Sequence, residues 1–153
     1  MSFLSQEVFT TVIDSTPLIS IDLVVENEHG ELLFGLRNNR PARGFWFVPG
    51  GRILKNETLD AAFERLTKNE LGVCFNRSNA RLLGAWEHFY EDSVFGESPS
   101  THYIALAYHL IVTKNHLHLP FGEQHSSYLW KEKRLASSDE SIHQYSKNYI
   151  GSV

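Results

Sequence analysis

The sequence predicts an α/β sandwich, α+β in the order of its elements, with a mixed central sheet. Three observations carry this. Short apolar runs alternate with segments of helical periodicity along the chain. Two long stretches rich in Trp, Tyr, Ile and Leu, residues 81–90 and 102–112, read as antiparallel partners. A Pro49-Gly50-Gly51 turn leads through a polar segment into an amphipathic helix that Gly72 is placed to end. At 153 residues and 42% apolar content, the chain can bury one proper core, so a single domain over residues 1–153 is expected.

In chain order, residues 3–14 place Leu4, Val8, Phe9, Val12 and Ile13 at helical spacing, and Pro17 ends that helix. Residues 18–26 read as a strand, 27–30 as a turn and 31–37 as the returning strand of a hairpin. A polar loop at 38–44 leads to a short strand at 45–48 and then to the Pro-Gly-Gly turn. Beyond the amphipathic helix, the long strands 81–90 and 102–112 are joined by a polar loop containing Gly96 and Pro99. Residues 121–127 read as a loop, 128–130 as a short strand and 138–149 as a terminal helix.

Composition narrows the function. A formal charge of -4 argues against general nucleic-acid binding, and the lone Cys74 rules out an internal disulfide framework, which fits a reducing cytoplasm. Cys74 has no activating neighbour in sequence and reads as a buried small apolar residue. No Lys or Arg precedes Arg37, and no apolar run approaches the roughly 18 residues of a membrane span.

The amphipathic helix carries an anomaly. At about 100° per residue, Leu59, Ala62, Phe63 and Leu66 form one apolar stripe, and Glu70 falls on it one turn further on. An inward carboxylate calls for a cation, either an Arg or a metal ion. Thr58 or Asn56 can cap the helix, and Asp60 suits its positive end. Upstream, Arg37, Arg40, Arg43 and Arg52 share a stretch with no acidic residue. Beside a glycine turn, these guanidinium groups read as a diphosphate clamp or, alternatively, as a solvated loop. Gly50 lets its carbonyl approach a metal held by Glu70. Asp22, in an apolar strand, faces either solvent or a polar site, and His88, Tyr90 and Tyr103 near strand ends serve either core or interface. His125, in a loop, is either surface or a proton acceptor with a pKa near 6.5.

Read together, Gly51, Glu57, Arg65, Glu70, Gly72 and Val73 resemble the Nudix box, over about residues 51–73. Leu66 and Asn69 stand where that box usually has carboxylates. The segments STPLISIDLVVEN, RPARGFWFVPGGR, ETLDAAFERLTKNELG, WEHFYED, THY and EQH are similar to one Nudix subfamily, the GDP-mannose mannosyl hydrolases, which also lacks those two carboxylates. The resemblance spans Phe3 to about Glu140. It implies an α/β/α sandwich and a single Mg²⁺, with Mn²⁺ as a substitute, held by the Gly50 carbonyl, Glu70 and Gln124. It implies His125 as general base, and Arg37, Arg52 and Tyr103 on the diphosphate. Phe3, Leu4 and Phe9 would meet the nucleotide, while Asp22 and His88 would lie near the sugar, with Tyr90 counted among the substrate contacts. A cytoplasmic homodimer is the expected state. The approach to EQH through Phe121-Gly122 departs from the subfamily's acidic turn.

The expected reaction is hydrolysis of GDP-mannose, with GDP-glucose also in range, to GDP and free hexose. Attack at phosphorus requires several cations, whereas attack at an anomeric carbon with a diphosphate leaving group requires fewer. One Mg²⁺ with Arg37 and Arg52 suits the second route, and a single displacement inverts the centre. The alternatives are a pyrophosphatase that cleaves P–O and an inactive nucleotide-binding module.

Overall fold

Leu-Ile-Ser-Ile-Asp-Leu-Val-Val-Glu is buried almost throughout rather than alternately, the mark of a strand covered on both faces. This strand, β1 (Leu18–Glu26), is the axis of the computed structural model, which describes residues 4–120 and 125–153, with side chains in the second stretch from Ser127 onward. β1 pairs in parallel with a strand from Thr101–Ile111 along its whole length, from Leu18 opposite Tyr103 to Glu26 opposite Ile111. That partner pairs antiparallel with a strand from Ala80–Tyr90. These two long strands take the antiparallel arrangement expected of them; the parallel contact with β1 carries no sequence signal.

The returning strand, β2 (Glu31–Arg37), corrects the hairpin expectation. It meets β1 only at Glu26 and Leu32, next to the turn, and the two then part. β3 (Trp46–Phe47) lies along β2, and β4 (Gly50–Arg52) takes the place beside β1 at Ser20, Ile21 and Asp22. With the long strands as β5 (Ala80–Tyr90) and β6 (Thr101–Ile111), and β7 (His125–Glu132) on the far edge of β2, the sheet has seven strands among the described residues, with mixed pairing. β7 is longer than the expected 128–130 and begins inside the expected loop, because β2 offers it a full edge from Glu31 to Arg37.

Helix α1 (Gln6–Ser15) starts where Ser5 Oγ accepts a hydrogen bond from Val8 N. α2 (Leu59–Leu71) is capped by Thr58 Oγ1, which accepts from Ala61 N, and it ends at Gly72 with φ 76°. A Cβ at Gly72 would lie 1.9 Å from the His118 carbonyl, so the stop is also a close backbone crossing. Of the expected terminal helix at 138–149 only α4 (Gln144–Lys147) forms, and a further short helix, α3 (Lys133–Ser137), precedes it. Between them Asp139 Oδ1 accepts from both Ser141 N and Ser141 Oγ, and the backbone pairs with Trp46 through Trp46 N to Ser141 O and His143 N to Trp46 O. Local side-chain bonding and a strand partner outcompete the helix there.

The core lies on both faces of the sheet. Ile21, Leu23 and Val25 pack beneath α2 with Phe63, Leu66 and Leu71; Val24, Phe34, Phe47 and Ala107 pack with Ile142 and Tyr149 of the C-terminal segment. The α2 stripe includes buried Ala62, Phe63, Leu66, Thr67, Glu70 and Leu71, but Leu59 at its start is exposed. Cys74, past the end of α2, is exposed rather than buried.

Glu57 and Arg65 tie β4 to α2. Arg65 Nε and Nη2 donate to the two Glu57 oxygens at 2.6 and 2.9 Å, Nη2 also donates to Arg52 O at 2.9 Å, and Glu57 Oε1 accepts from Leu54 N. The arginine holds the Glu57 carboxyl below its usual range. Removing the arginine in Arg65→Ala leaves a largely buried carboxylate with one donor; urea unfolding at pH 7 should show a loss of roughly 2–3 kcal/mol. Because a depressed carboxylate pKa contributes stability only while the group is ionised, the gap between the two proteins should narrow in acid, as pH falls through the folded pKa of Glu57.

Candidate active site

Strand register assembles the site. Side chains of Ser20 and Asp22 on β1 share a sheet face with Gly50 and Arg52 opposite them on β4. In β6 and β5 the same face carries Tyr103 opposite His88 and Thr101 opposite Tyr90. Together they wall a cavity of about 270 Å³ whose far side is Phe9 and Ile13 from α1, and whose rim includes Arg37, Asn39 and Arg40 after β2. The structure therefore brings Asp22, Arg37, Arg52, His88, Tyr90, Tyr103, Phe9 and Gly50 into one pocket. Arg43 is exposed and outside it, and Leu4 is exposed, one residue before the Ser5 cap of α1. Phe3 and Gln124 lie outside the described residues, as does the side chain of His125. The His125 backbone opens β7 opposite Arg37, so it stands at a strand end rather than in the expected loop.

Arginine supplies the pocket's positive charge. Among the described residues Arg37 and Arg52 form no ion pair, whereas Arg40 reaches Asp92 at 3.5 Å. Arg37 Nε donates to Pro41 O at 3.0 Å, and the Arg52 guanidinium lies 4.5 Å above the Phe9 ring. Phe9 in turn meets Phe95 edge-on at 5.8 Å, linking α1 to the loop between β5 and β6. Anchored this way, two guanidinium groups remain available to an anionic ligand.

Asp22 settles its open reading: it is buried and faces the polar site. Burial raises its carboxyl to about 6, against the opposing pull of the Tyr149 hydroxyl and Arg37. Tyr149 OH donates to Asp22 Oδ2 at 2.6 Å and lies 3.2 Å from His88 Nε2. His88 stacks flat on Tyr145 at 4.2 Å, and burial with nearby His143 pushes its pKa down to about 4. Burial also raises the Tyr103 phenol, while Arg37 and Arg52 pull it the other way. No sequence signal marks Tyr145 and Tyr149 as site residues. They stand four residues apart in the segment expected to be helical, and nothing in that spacing points toward Asp22.

The implied metal has a testable donor set. Leu23 N to Pro49 O and Ile53 N to Ile19 O are bonds of alternate pairs between β1 and β4, so at Asp22–Gly50 and Ser20–Arg52 the β4 carbonyls face away from β1. Arg65 of α2 takes the Arg52 carbonyl, so that edge of β4 looks toward α2, the helix that carries buried Glu70. A carboxylate and a backbone carbonyl are hard oxygen donors and fit one Mg²⁺ or Mn²⁺, with water and phosphate oxygens completing the shell. Among the described residues no group of three His, Cys, Asp or Glu could hold a metal. Glu70 itself lies on the α2 side and does not line the pocket; its charge acts on Tyr128, whose phenol burial and Glu70 push up to about 12. Gly50 lies between the two. A Cβ there would stand 2.4 Å from Ile21 O and 2.8 Å from Asp22 Oδ1, so only glycine lets β4 lie against β1 at this point.

Residues 16–145 match the family model described as NUDIX domain. The low-salt glycan biosynthesis protein Agl8 of Haloferax volcanii is 39% identical over 142 residues, which cover 93% of this chain and 85% of that protein. The MutT protein of Methanosarcina mazei Go1 superposes with a TM-score of 0.71 at 21% identity, covering 90% of this chain and 94% of its own. The NUDIX domain of Shewanella oneidensis NrtR, complexed with ADP ribose, superposes at 0.67 with 16% identity, covering 97% and 96%. At such identities the structural likeness shows the fold alone.

Neutral, buried His88 makes a pH prediction. The unfolded chain takes up a proton near 6.5, while the folded imidazole resists it down to about 4, so this group lowers stability as pH falls through that window. The drop is at most about 3 kcal/mol. His88→Gln should flatten the acid side of the stability profile between pH 6.5 and 4, measured as urea midpoints; an unchanged slope would mean that His88 protonates freely in the folded protein.

Proposed function

The chain belongs to the NUDIX family, a family of hydrolases, and from that premise we propose that it hydrolyses a nucleoside diphosphate sugar, GDP-mannose, to GDP and free hexose in a Mg²⁺-dependent reaction. One observation carries the reading: Arg37 and Arg52, in no ion pair among the described residues, face the same cavity as Asp22 and His88, which the buried Tyr149 hydroxyl joins from behind. The first pair suits a diphosphate and the second a hydroxylated ring. The guanine and mannose identities, GDP-glucose as a second substrate, the homodimer, the cytoplasmic setting and a single domain over residues 1–153 come from the sequence resemblance and are part of the proposal. The glycan-biosynthesis relative supports the substrate class.

In this reading Arg37 and Arg52 bind the diphosphate through bidentate guanidinium contacts and stabilise charge that grows on it as the sugar departs. Tyr103, kept protonated by burial beside those arginines, donates a hydrogen bond to the same oxygens. Phe9, under Arg52, packs on the nucleotide side, and Asp22, His88 and Tyr90 line the sugar side. Gly50 and Glu70, with Gln124, would hold the Mg²⁺. When bound, that ion supplies further positive charge at the leaving diphosphate. His125 accepts a proton from the water that attacks the anomeric carbon. Attack opposite the leaving group inverts the centre.

Cleavage at P–O is the alternative. The donor set fits a single cation, whereas chemistry at phosphorus commonly employs several, so carbon is favoured. In ¹⁸O-labelled water with GDP-mannose and Mg²⁺, label should enter mannose and not GDP, and proton NMR should show β-mannose first. GMP with labelled phosphate would overturn attack at carbon, and binding without turnover would leave the nucleotide-binding module. Glu70→Gln should abolish most Mg²⁺ activation with the fold retained by circular dichroism; near-normal activation would remove Glu70 from the metal site.

A further inference from the structure

The C-terminal segment packs behind the pocket wall, where Tyr149 touches Asp22 and His88, and no step of the proposed reaction requires it. Its placement is strongly constrained. Ser146 Oγ accepts from Val48 N at 2.9 Å, and the Tyr145 hydroxyl accepts from Phe89 N and donates to Phe89 O. The Tyr149 ring is wholly buried and meets Trp86 edge-on at 5.2 Å. Its hydroxyl therefore has little freedom to choose a partner.

We propose that Tyr149 is a positioning residue of the reaction: its hydroxyl, 2.6 Å from Asp22 Oδ2 and 3.2 Å from His88 Nε2, holds the carboxylate and the imidazole in one arrangement at the wall of the pocket. This rests on the reading that the pocket receives a sugar diphosphate. The phenol has one proton to give. Ionised Asp22 only accepts, so the phenol donates to Asp22 and its oxygen is left to accept from His88. The neutral imidazole then carries its proton on Nε2 and its lone pair on Nδ1, an assignment that follows from the hydrogen-bond network. Burial, which keeps His88 neutral, agrees with that state. Without the hydroxyl, Asp22 Oδ2 loses a donor inside a buried wall, and neither the His88 tautomer nor the carboxylate rotamer is held. Gly50, opposite Asp22, has no side chain with which to replace that contact.

Tyr149→Phe tests this, since the ring can stay packed on Trp86 while the hydroxyl is lost. With GDP-mannose and Mg²⁺ the variant should lose on the order of 10- to 100-fold in kcat, the scale of a misplaced reacting group, with a smaller change in KM. Long-range ¹H–¹⁵N correlation of His88, recorded without substrate, should show the Nε2-protonated tautomer in the parent and a shifted or averaged pattern in the variant. A parent that does not hydrolyse GDP-mannose would sink the substrate reading alone, and the His88 spectra would still decide the role of Tyr149. An unchanged kcat, or identical His88 spectra in the two proteins, would overturn the proposal. If the variant does not fold, an Nδ1-protonated His88 in the parent overturns it by itself.

Discussion

An ionisable group stands in the middle of the strand on which both layers are built, and the pocket wall is arranged around it. Asp22 lies between Ile21 and Leu23, whose side chains fill the apolar layer beneath α2, so its own side chain must point the other way. Taking that carboxylate out of water is costly unless donors meet it. The Tyr149 hydroxyl does so directly, from a segment distant in sequence, and Arg37 does so through its field, from the end of the next strand. Gly50 completes the arrangement, since any side chain opposite Asp22 would collide with it and with the β1 backbone.

The parting of β1 and β2 follows from the same geometry. Had the hairpin continued, β2 would occupy the edge of β1 that β4 takes, and neither Gly50 nor Arg52 would reach the polar face. Because the strands separate after one pair, β4 enters beside β1 and turns its outer carbonyls toward α2. Arg65 takes one of them while gripping Glu57. The box helix thus fixes the turn that borders the pocket, and the outer edge of β4 looks toward the helix that carries buried Glu70. β4 is the boundary between the apolar layer and the polar cavity.

Burial in this wall works against stability. His88 is held neutral well below its ordinary range, and Asp22 resists ionisation, each at some cost in folding free energy. A packed apolar wall would avoid both costs, and groups of this kind are more common where binding or proton handling needs them. The two guanidinium groups follow the same logic: with no carboxylate partner among the described residues, they leave positive charge facing the cavity, as a site for an anionic ligand requires.

Local chemistry is legible in one dimension. The α2 boundaries follow from Thr58 and Gly72, the long strands from aromatic and β-branched residues, and the burial of Glu70 from its place on an apolar stripe. The box pattern carries the NUDIX family in the sequence. Long-range choices were not legible. Whether Asp22 met solvent or a site depended on β6 lying parallel to β1, and pairing between strands some eighty residues apart leaves no periodic trace. The terminal helix failed because Trp46 offers Ser141 and His143 backbone partners that no local propensity encodes. Tyr149 became the partner of two pocket residues, Asp22 and His88, for the same reason. A hydroxyl gains a role from what the folded chain sets within 3 Å of it, so the residue type was in the sequence, but its partner was decided only by the tertiary structure.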